Sequence, residues 1–221
     1  MHQAEIGPSY MFSGNKLGEE WHRLTAQNEG FKNYLNGKLT LAPLENPRSI
    51  IDMGAGTGAW AADAATIYPE AEVLAVDMSP FPDRNFPSNL KYQQFNLLDE
   101  FPWRNESFDV IHMRFLMYHI PYGAKFIARV VQLLKPGGFL IIEDSCLLRY
   151  PDGIGPAQQK QNEISIAFLH SRGLDPYIGS HLEEFMQATG AFEVISARME
   201  PLCLNPLPTG KFTPSSFRCH L

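Results

Sequence analysis

The stretch Ile50-Ile51-Asp52-Met53-Gly54-Ala55-Gly56-Thr57-Gly58 decides the fold. Its apolar start predicts a short buried strand over residues 49–53, and the glycines that follow allow a sharp turn and close backbone approach to a ligand. Next, the alanine-rich residues 59–67 favour a helix, and the apolar run 72–77 favours a second strand. This strand, turn, helix and strand would present a helix N-terminus to the carboxylate or phosphate of a ligand.

The alternation of predicted strands and helices continues along the rest of the chain. Further strands are predicted over residues 90–96, 108–113, 139–143 and 192–197, and further helices over residues 14–35, 124–134 and 155–172. A last helix is predicted to open at Ser180, in an S-x-x-E capping box that ends at Glu183, and to stop at Gly190. Apolar strands that alternate with helices indicate an α/β protein with a Rossmann-like, doubly wound, mostly parallel sheet.

Length and composition bound the classes of function. With 221 residues and 44% apolar content, the chain is expected to form one domain. Its net charge of -6 disfavours a nucleic-acid partner. No stretch approaches the roughly 20 apolar residues of a membrane span, so no membrane partner is expected. Cys146, Cys203 and Cys219 have neither metal-ligand nor C-x-x-C spacing, so we expect no metal and a reducing, cytoplasmic compartment, with the nucleus as the alternative for a regulator.

The glycine loop alone leaves the ligand class open. Gly54-x-Gly56-x-x-Ala59 also satisfies the dinucleotide pattern of nicotinamide and flavin proteins. Asp77, at the end of the second strand, is placed to bind ribose hydroxyls in either class. The glycine loop and Asp77 together predict a nucleoside cofactor. The alternative is that the glycines form an ordinary turn, that Asp77 is a solvated acid, and that no ligand binds.

Five features taken together resemble the class I S-adenosylmethionine-dependent methyltransferases. The stretch 50–58 is similar to their motif I, and Asp77 matches their ribose-binding acid. Asn96-Leu97 occupies their adenine-contacting position, where an Asp is commoner than Asn96. Residues 107–112 are similar to their fourth strand, and Leu133-Leu134-Lys135-Pro136-Gly137-Gly138 to their turn into the fifth, for which nicotinamide enzymes have no counterpart.

A closer likeness involves two further segments. Glu19-Glu20-Trp21-His22-Arg23-Leu24 with Gln27, and later Phe108-Asp109-Val110-Ile111-His112-Met113-Arg114, resemble the fungal methyltransferase group that contains secondary-metabolism enzymes and a velvet-complex regulator. The resemblance as a whole runs over about residues 19–198.

The resemblance implies S-adenosylmethionine as cofactor, S-adenosylhomocysteine as product, and methyl transfer to an oxygen or nitrogen of a small molecule in specialised metabolism. The alternative is a methyltransferase-like, cofactor-binding regulatory or partner subunit without methyl transfer. The single domain 1–221 would comprise a helical cap (1–47), a cofactor-binding core (48–145), a helical lid and substrate region (146–190), and a last strand with an irregular tail (191–221). Cofactor contacts are implied for Asp52, Gly54, Ala55, Gly56, Gly58, Asp77, Met78, Asn96, Leu97 and Met113.

Two imidazoles are candidate bases for a substrate that must lose a proton. His112 ends the fourth strand and His119 lies just beyond it. The alternative for His112 is a strand-end hydrogen bond to a loop, and the alternative for His119, which this position favours, is packing within the loop. Arg114 is expected to pair with a core carboxylate. Tyr10 and Trp21 could close over the cofactor, but aromatic residues at helical spacing usually pack in the core.

The C-terminal region departs from the resemblance. Class I sheets usually finish with two strands after the fifth, the last one antiparallel and inserted beside it, whereas only residues 192–197 read as a strand here. Prolines at 201, 206, 208 and 214 disfavour another. We therefore expect a shortened C-terminal sheet edge, covered by a second copy of the chain or by a different protein.

Overall fold

The protein contains a five-stranded, all-parallel sheet in the order β3-β2-β1-β4-β5. The computed structural model describes residues 16–80, 85–145 and 155–199. The strands are β1 (Ser49–Met53), β2 (Glu72–Asp77), β3 (Leu90–Gln94), β4 (Phe108–Arg114) and β5 (Leu134–Glu143). This order confirms the predicted doubly wound sheet, and the winding direction reverses between β1 and β4, where open α/β sheets bind ligands.

Five helices and one short 3₁₀ turn accompany the sheet in the described part of the chain. They are α1 (Lys16–Tyr34), α2 (Ala59–Ile67), the 3₁₀ turn Met117–His119, α3 (Gly123–Val131), α4 (Pro156–Ser171) and α5 (Ile178–Ala188). Among these helices, none is long and apolar enough to cross a membrane.

The core lies on both faces of the sheet, because successive side chains of a strand point to opposite faces. On one face, Ile50 of β1 and Val73 of β2 pack with Trp60 and the alanines of α2. On the other, Ile51 and Met113 pack with the apolar residues of α3 and with Ile178 of α5. Burial on both faces explains why the central strands read as continuous apolar runs.

The predicted strand over residues 192–197 is wrong. The structure describes these residues and assigns them no strand, and the side chain of Val194 is 81% exposed. A strand needs hydrogen bonds from a neighbour, and within the described residues β5 pairs only with β4. The apolar alternation of this segment alone therefore does not make it a strand.

The predicted start of the last helix is also wrong. Helix α5 begins at Ile178, so Ser180 lies inside it rather than at its cap. Asp175 Oδ1 accepts the Tyr177 N–H at 2.8 Å and shapes the turn before the helix, while Ile178 is completely buried. The predicted stop is confirmed, because Gly190 has a φ of +63° just beyond the helix.

The fifth strand is longer than predicted. It begins at Leu134 rather than Phe139, with a register irregularity opposite Phe108 and Val110. At its start, Lys135 Nζ donates to Asp109 Oδ1 at 2.9 Å and to Ser49 Oγ at 2.8 Å. These contacts join β1, β4 and β5 at their amino ends, opposite the edge where the glycine loop lies.

Candidate functional site

The glycine loop turns at the carboxyl edge of β1. Gly54, Gly56 and Gly58 have φ values of +73°, +55° and +68°, in the left-handed region that favours glycine. The N–H groups of Gly54 and Ala55 donate to the Val76 carbonyl of β2 at 2.8 and 2.9 Å. The loop is therefore held against the strand that carries Asp77.

Side chains from two other elements cover this loop. A Cβ placed on Gly54 would lie 2.9 Å from Leu116 Cδ1, and one on Gly56 would lie 3.0 Å from Leu24 Cδ1. Leu116 follows β4 and Leu24 belongs to α1. The loop thus lies between the N-terminal helix and the turn after β4, and any larger residue at these glycines would collide with one of them.

Asp77 is fixed at the end of β2. Its Oδ2 accepts the Gly56 N–H at 2.8 Å and its Oδ1 accepts the Ser79 N–H at 2.8 Å. The side chain is partly exposed. Because each carboxylate oxygen has two lone pairs, Asp77 can also accept hydroxyl groups from a ligand. A tight glycine loop with an oriented acid beside it fits a nucleoside cofactor.

Four further residues for which the resemblance implies cofactor contacts differ in how exposed their side chains are. Met78, next to Asp77, is 37% exposed, and the exposed Asn96 uses Oδ1 to accept the Leu98 N–H at 3.1 Å. By contrast, Leu97 is buried and the Met113 side chain is completely buried in the core on the α3 side. Contact between the Met113 side chain and a cofactor is therefore not favoured, and the roles of all four residues stay predictions.

Asp52 and His112 form a buried pair on neighbouring strands. They stand opposite each other in the β1–β4 register, and His112 Nδ1 lies 2.7 Å from Asp52 Oδ1. Their side chains are 3% and 1% exposed, and the Trp60 ring stacks on the imidazole with 3.6 Å between ring centroids. On the other side, His112 Nε2 lies 3.4 Å from Glu143 Oε2. Both imidazole nitrogens thus face carboxylate oxygens.

Arg114 extends this pair toward the N-terminal helix. Its Nε donates to Glu143 Oε2 at 2.5 Å, which confirms the predicted pairing with a carboxylate, and its Nη1 donates to Asn28 Oδ1 at 3.0 Å. Asn28, on α1, in turn donates through Nδ2 to Asp63 Oδ2 of α2 at 3.2 Å. A polar chain therefore connects β1, β4, β5, α1 and α2 beneath the glycine loop.

Glu143 carries a strongly shifted pKa. Burial alone would raise it, but hydrogen bonds and charge from His112 and Arg114 outweigh burial and lower the pKa from 4.5 to about 2. The carboxylate is therefore ionised at neutral pH, where it accepts from the Arg114 guanidinium and faces the imidazole of His112.

A second group of polar side chains surrounds the 3₁₀ turn that follows β4. Asp144 Oδ2 accepts the N–H groups of Met117 and Tyr118 at 2.7 and 3.3 Å and so shapes the 3₁₀ turn. Burial raises the pKa of Asp144 despite these bonds, and burial followed by the Asp144 charge raises the pKa of Tyr118. The His119 side chain is exposed at the surface, yet the protein around its ring partly desolvates it and lowers its pKa. Tyr118, His119 and Asp144 thus form a polar rim beside Leu116.

Sequence reasoning missed Asn28, Glu143 and Asp144. Asn28 lies in a helix among polar residues, so only the folded chain shows its burial. Glu143 and Asp144 end an apolar run just as Asp77 does, and that position could have marked them. Trp21 is partly buried, whereas Tyr10 and the three cysteines lie outside the described residues.

Two further features bear on the class of site. No cluster of three or more potential metal ligands occurs within residues 16–80, 85–145 and 155–199. A groove of about 420 Å³ is lined by Trp103 and Arg129, among others. The lining of this groove contains none of the glycine-loop residues, so the groove is separate from the cofactor loop.

Comparisons with known proteins agree on one family. A family model described as a methyltransferase domain matches residues 21–197. Methyltransferase str3 of Strobilurus tenacellus is 37% identical over 191 residues, which cover 86% of this chain and 69% of that protein. N-methyltransferase tcpN of Claviceps purpurea is 30% identical over 196 residues, covering 82% of this chain and 69% of that protein. The secondary metabolism regulator laeA of Aspergillus fumisynnematus is 33% identical over 102 residues, covering 46% of this chain and 27% of that protein.

A solved structure shares the fold. An O-methyltransferase family protein from Burkholderia thailandensis superposes with a TM-score of 0.55 at 16% identity and covers 79% of this chain. The chain spans 54% of the length of that structure. The predicted resemblance to methyltransferases, including the group with secondary-metabolism proteins, is confirmed.

Proposed function

Because this chain belongs to the methyltransferase-domain family, we propose that it transfers a methyl group to an oxygen or nitrogen of a small organic molecule in specialised metabolism. Its cofactor is S-adenosylmethionine. When bound, this cofactor supplies a methyl group that its sulfonium centre has already activated. The protein must then orient a nucleophile and exclude water, and good alignment alone corresponds to effective molarities of order 10⁵ M or more.

The observation that carries the proposal is the contact between Asp77 and the glycine loop. The same carboxylate that accepts the Gly56 N–H is available to ribose hydroxyls, so it sets the position of the loop and of a nucleoside together. Leu24 and Leu116, which lie against the loop, are apolar side chains suited to keep water from the reacting centre.

The polar rim of Tyr118, His119 and Asp144 is the proposed acceptor side. An oxygen or nitrogen nucleophile that attacks the methyl carbon must give its proton to a base, and the cofactor leaves as S-adenosylhomocysteine. His119 suits this role, since its lowered pKa leaves it neutral and able to accept a proton at neutral pH. His112 stays a predicted base as well, but its enclosed ring favours a role in which it does not touch the substrate.

Cofactor binding and turnover test the proposal. We expect the purified chain to bind S-adenosylhomocysteine in calorimetry and to transfer labelled methyl groups to members of a panel of phenols, carboxylic acids and amines. Asp77→Asn should weaken cofactor binding roughly tenfold or more, since hydrogen bonds to a charged group are worth about 1.5–3 kcal/mol. Glu72→Gln, at the other end of β2 with an exposed side chain, is the matched control. Unchanged affinity in Asp77→Asn would contradict the assignment of the site.

A regulatory subunit without methyl transfer is the second candidate. The local similarity to laeA favours it. Cofactor binding without product across the acceptor panel, together with co-purification of one defined protein, would support this candidate, whereas turnover by the isolated chain would remove the need for it.

A further inference from the structure

We propose that His112 is a positioning residue for cofactor binding: it fixes the Asp52 carboxylate next to the glycine loop and does not itself touch the substrate. The inference rests on the proposed function, in which Asp77 serves the ribose, and on the motif I resemblance, which implies that Asp52 lies near the amino-acid half of S-adenosylmethionine.

The first argument concerns the imidazole nitrogens of His112. Nδ1 lies 2.7 Å from Asp52 Oδ1 and Nε2 lies 3.4 Å from Glu143 Oε2. A ring whose two nitrogens face carboxylates has none left to take a proton from a substrate. With its side chain 1% exposed and its face covered by Trp60, the imidazole is also closed to a small molecule.

The second argument concerns the surroundings of Asp52. It lies two residues before Gly54, and its side chain is 3% exposed. A buried carboxylate needs a polar partner, and the Asp52 carboxylate has one in His112, whose Nδ1 lies 2.7 Å from Asp52 Oδ1. The pair thereby holds the Asp52 carboxylate in one place at the end of β1, directly before the residues of the glycine loop.

The third argument concerns what holds His112 in place. Arg114 binds Glu143 at 2.5 Å and also binds Asn28 of α1. The strand register that pairs Asp52 with His112 also pairs Arg114 with Glu143, two residues further along the same sheet face. The imidazole therefore lies between a stacked indole and an anchored carboxylate, an arrangement that fixes the orientation of the Asp52 carboxylate.

Two amide variants separate the contacts of His112. The amide nitrogen of His112→Asn can replace Nδ1 and keep a donor toward Asp52, whereas that of His112→Gln can replace Nε2 and keep one toward Glu143. Both variants remove the ring that stacks on Trp60, so their structural cost is matched. The two ligands are S-adenosylhomocysteine, which carries the amino-acid half, and 5′-methylthioadenosine, which lacks it.

We expect His112→Gln to bind S-adenosylhomocysteine roughly tenfold or more weakly than His112→Asn does, a loss typical of one hydrogen bond to a charged group. Binding of 5′-methylthioadenosine should be the same in both variants. In Asp77→Asn, binding of both ligands should weaken, because they share the ribose.

The outcomes are separable. Equal S-adenosylhomocysteine affinity in the two His112 variants, or a parallel loss of both ligands in His112→Gln, would overturn the positioning role and leave a structural one. If the unmodified chain binds neither ligand, the proposed function fails instead. If either His112 variant does not fold, the same comparison is made with Asp52→Asn, for which the proposal expects loss of S-adenosylhomocysteine binding with 5′-methylthioadenosine binding retained.

Discussion

At the scale of single residues, the glycines differ in what they require. Gly190 needs glycine only for its φ of +63°, because a Cβ there would meet nothing within 4 Å. Gly54 and Gly56 combine a positive φ with a neighbouring side chain at about 3 Å from the Cβ position. Gly54 and Gly56 therefore serve both backbone conformation and close packing, whereas Gly190 serves backbone conformation alone.

Glu143 leads to a prediction about pH. Its folded-state pKa of about 2 is below the ordinary 4.5, so its contribution to stability is fully present above pH 4.5 and is lost as the pH falls toward 2. We expect Glu143→Gln to lower the free energy of unfolding at pH 7 by up to about 3 kcal/mol.

Urea denaturation of the unmodified chain and of Glu143→Gln between pH 7 and pH 2 measures this effect. The difference between them should shrink over the acid range, and Glu72→Gln, with an exposed side chain, should show no such trend. A difference that stays constant down to pH 2 would contradict the assigned ion pair.

At the scale of elements, α1 is fastened to the domain through polar groups as well as apolar ones. Asp63 of α2 accepts from Asn28 at 3.2 Å and from Lys32 Nζ at 3.0 Å, and the Phe31 ring lies 5.3 Å from that of Phe115. Hydrogen bonding and charge from Asp63 raise the pKa of Lys32. Because Leu24 of this helix lies against Gly56, the attachment of α1 also determines how the cofactor loop is covered.

Removing the Asp63 carboxylate should loosen this helix. In Asp63→Ala we expect faster hydrogen exchange along α1, with a loss of only about 1 kcal/mol in global stability, because the Lys32 pair is partly exposed. Hydrogen exchange followed by mass spectrometry reports the change, and Glu19→Ala, at an exposed position in the first turn of α1, is the control. Exchange rates in α1 that match those of the control would show that the contacts of Asp63 do not hold the helix.

At the scale of the whole molecule, the outer edge of β5 is the place where a partner chain is expected. Within the described residues, β5 has β4 on one side and no strand on the other. Unpaired strand edges tend to be covered by another segment or another chain. The partner expected at this edge, a second copy or a different protein, therefore stays a prediction.

Light scattering across micromolar concentrations tests the simplest form of that prediction. We expect the purified chain to self-associate over this concentration range. A stable monomer over the whole range would exclude the homodimer. Co-purification of a different protein would then test whether a hetero-partner covers the edge.

The bounds of β1, α2 and β2 and the place of the glycine loop were determined by the sequence alone, because apolar periodicity, alanine content and glycine spacing act over a few neighbouring residues. The hydrogen bond between Asp77 and Gly56 was not predicted and is known only from the structure. The tertiary structure alone decided that His112 faces Asp52, 60 positions away, and that Arg114 reaches Asn28, 86 positions away. Such contacts depend on strand register and helix docking, which no local pattern encodes. For the same reason, the apolar pattern of residues 192–197 predicted a strand that the structure does not form.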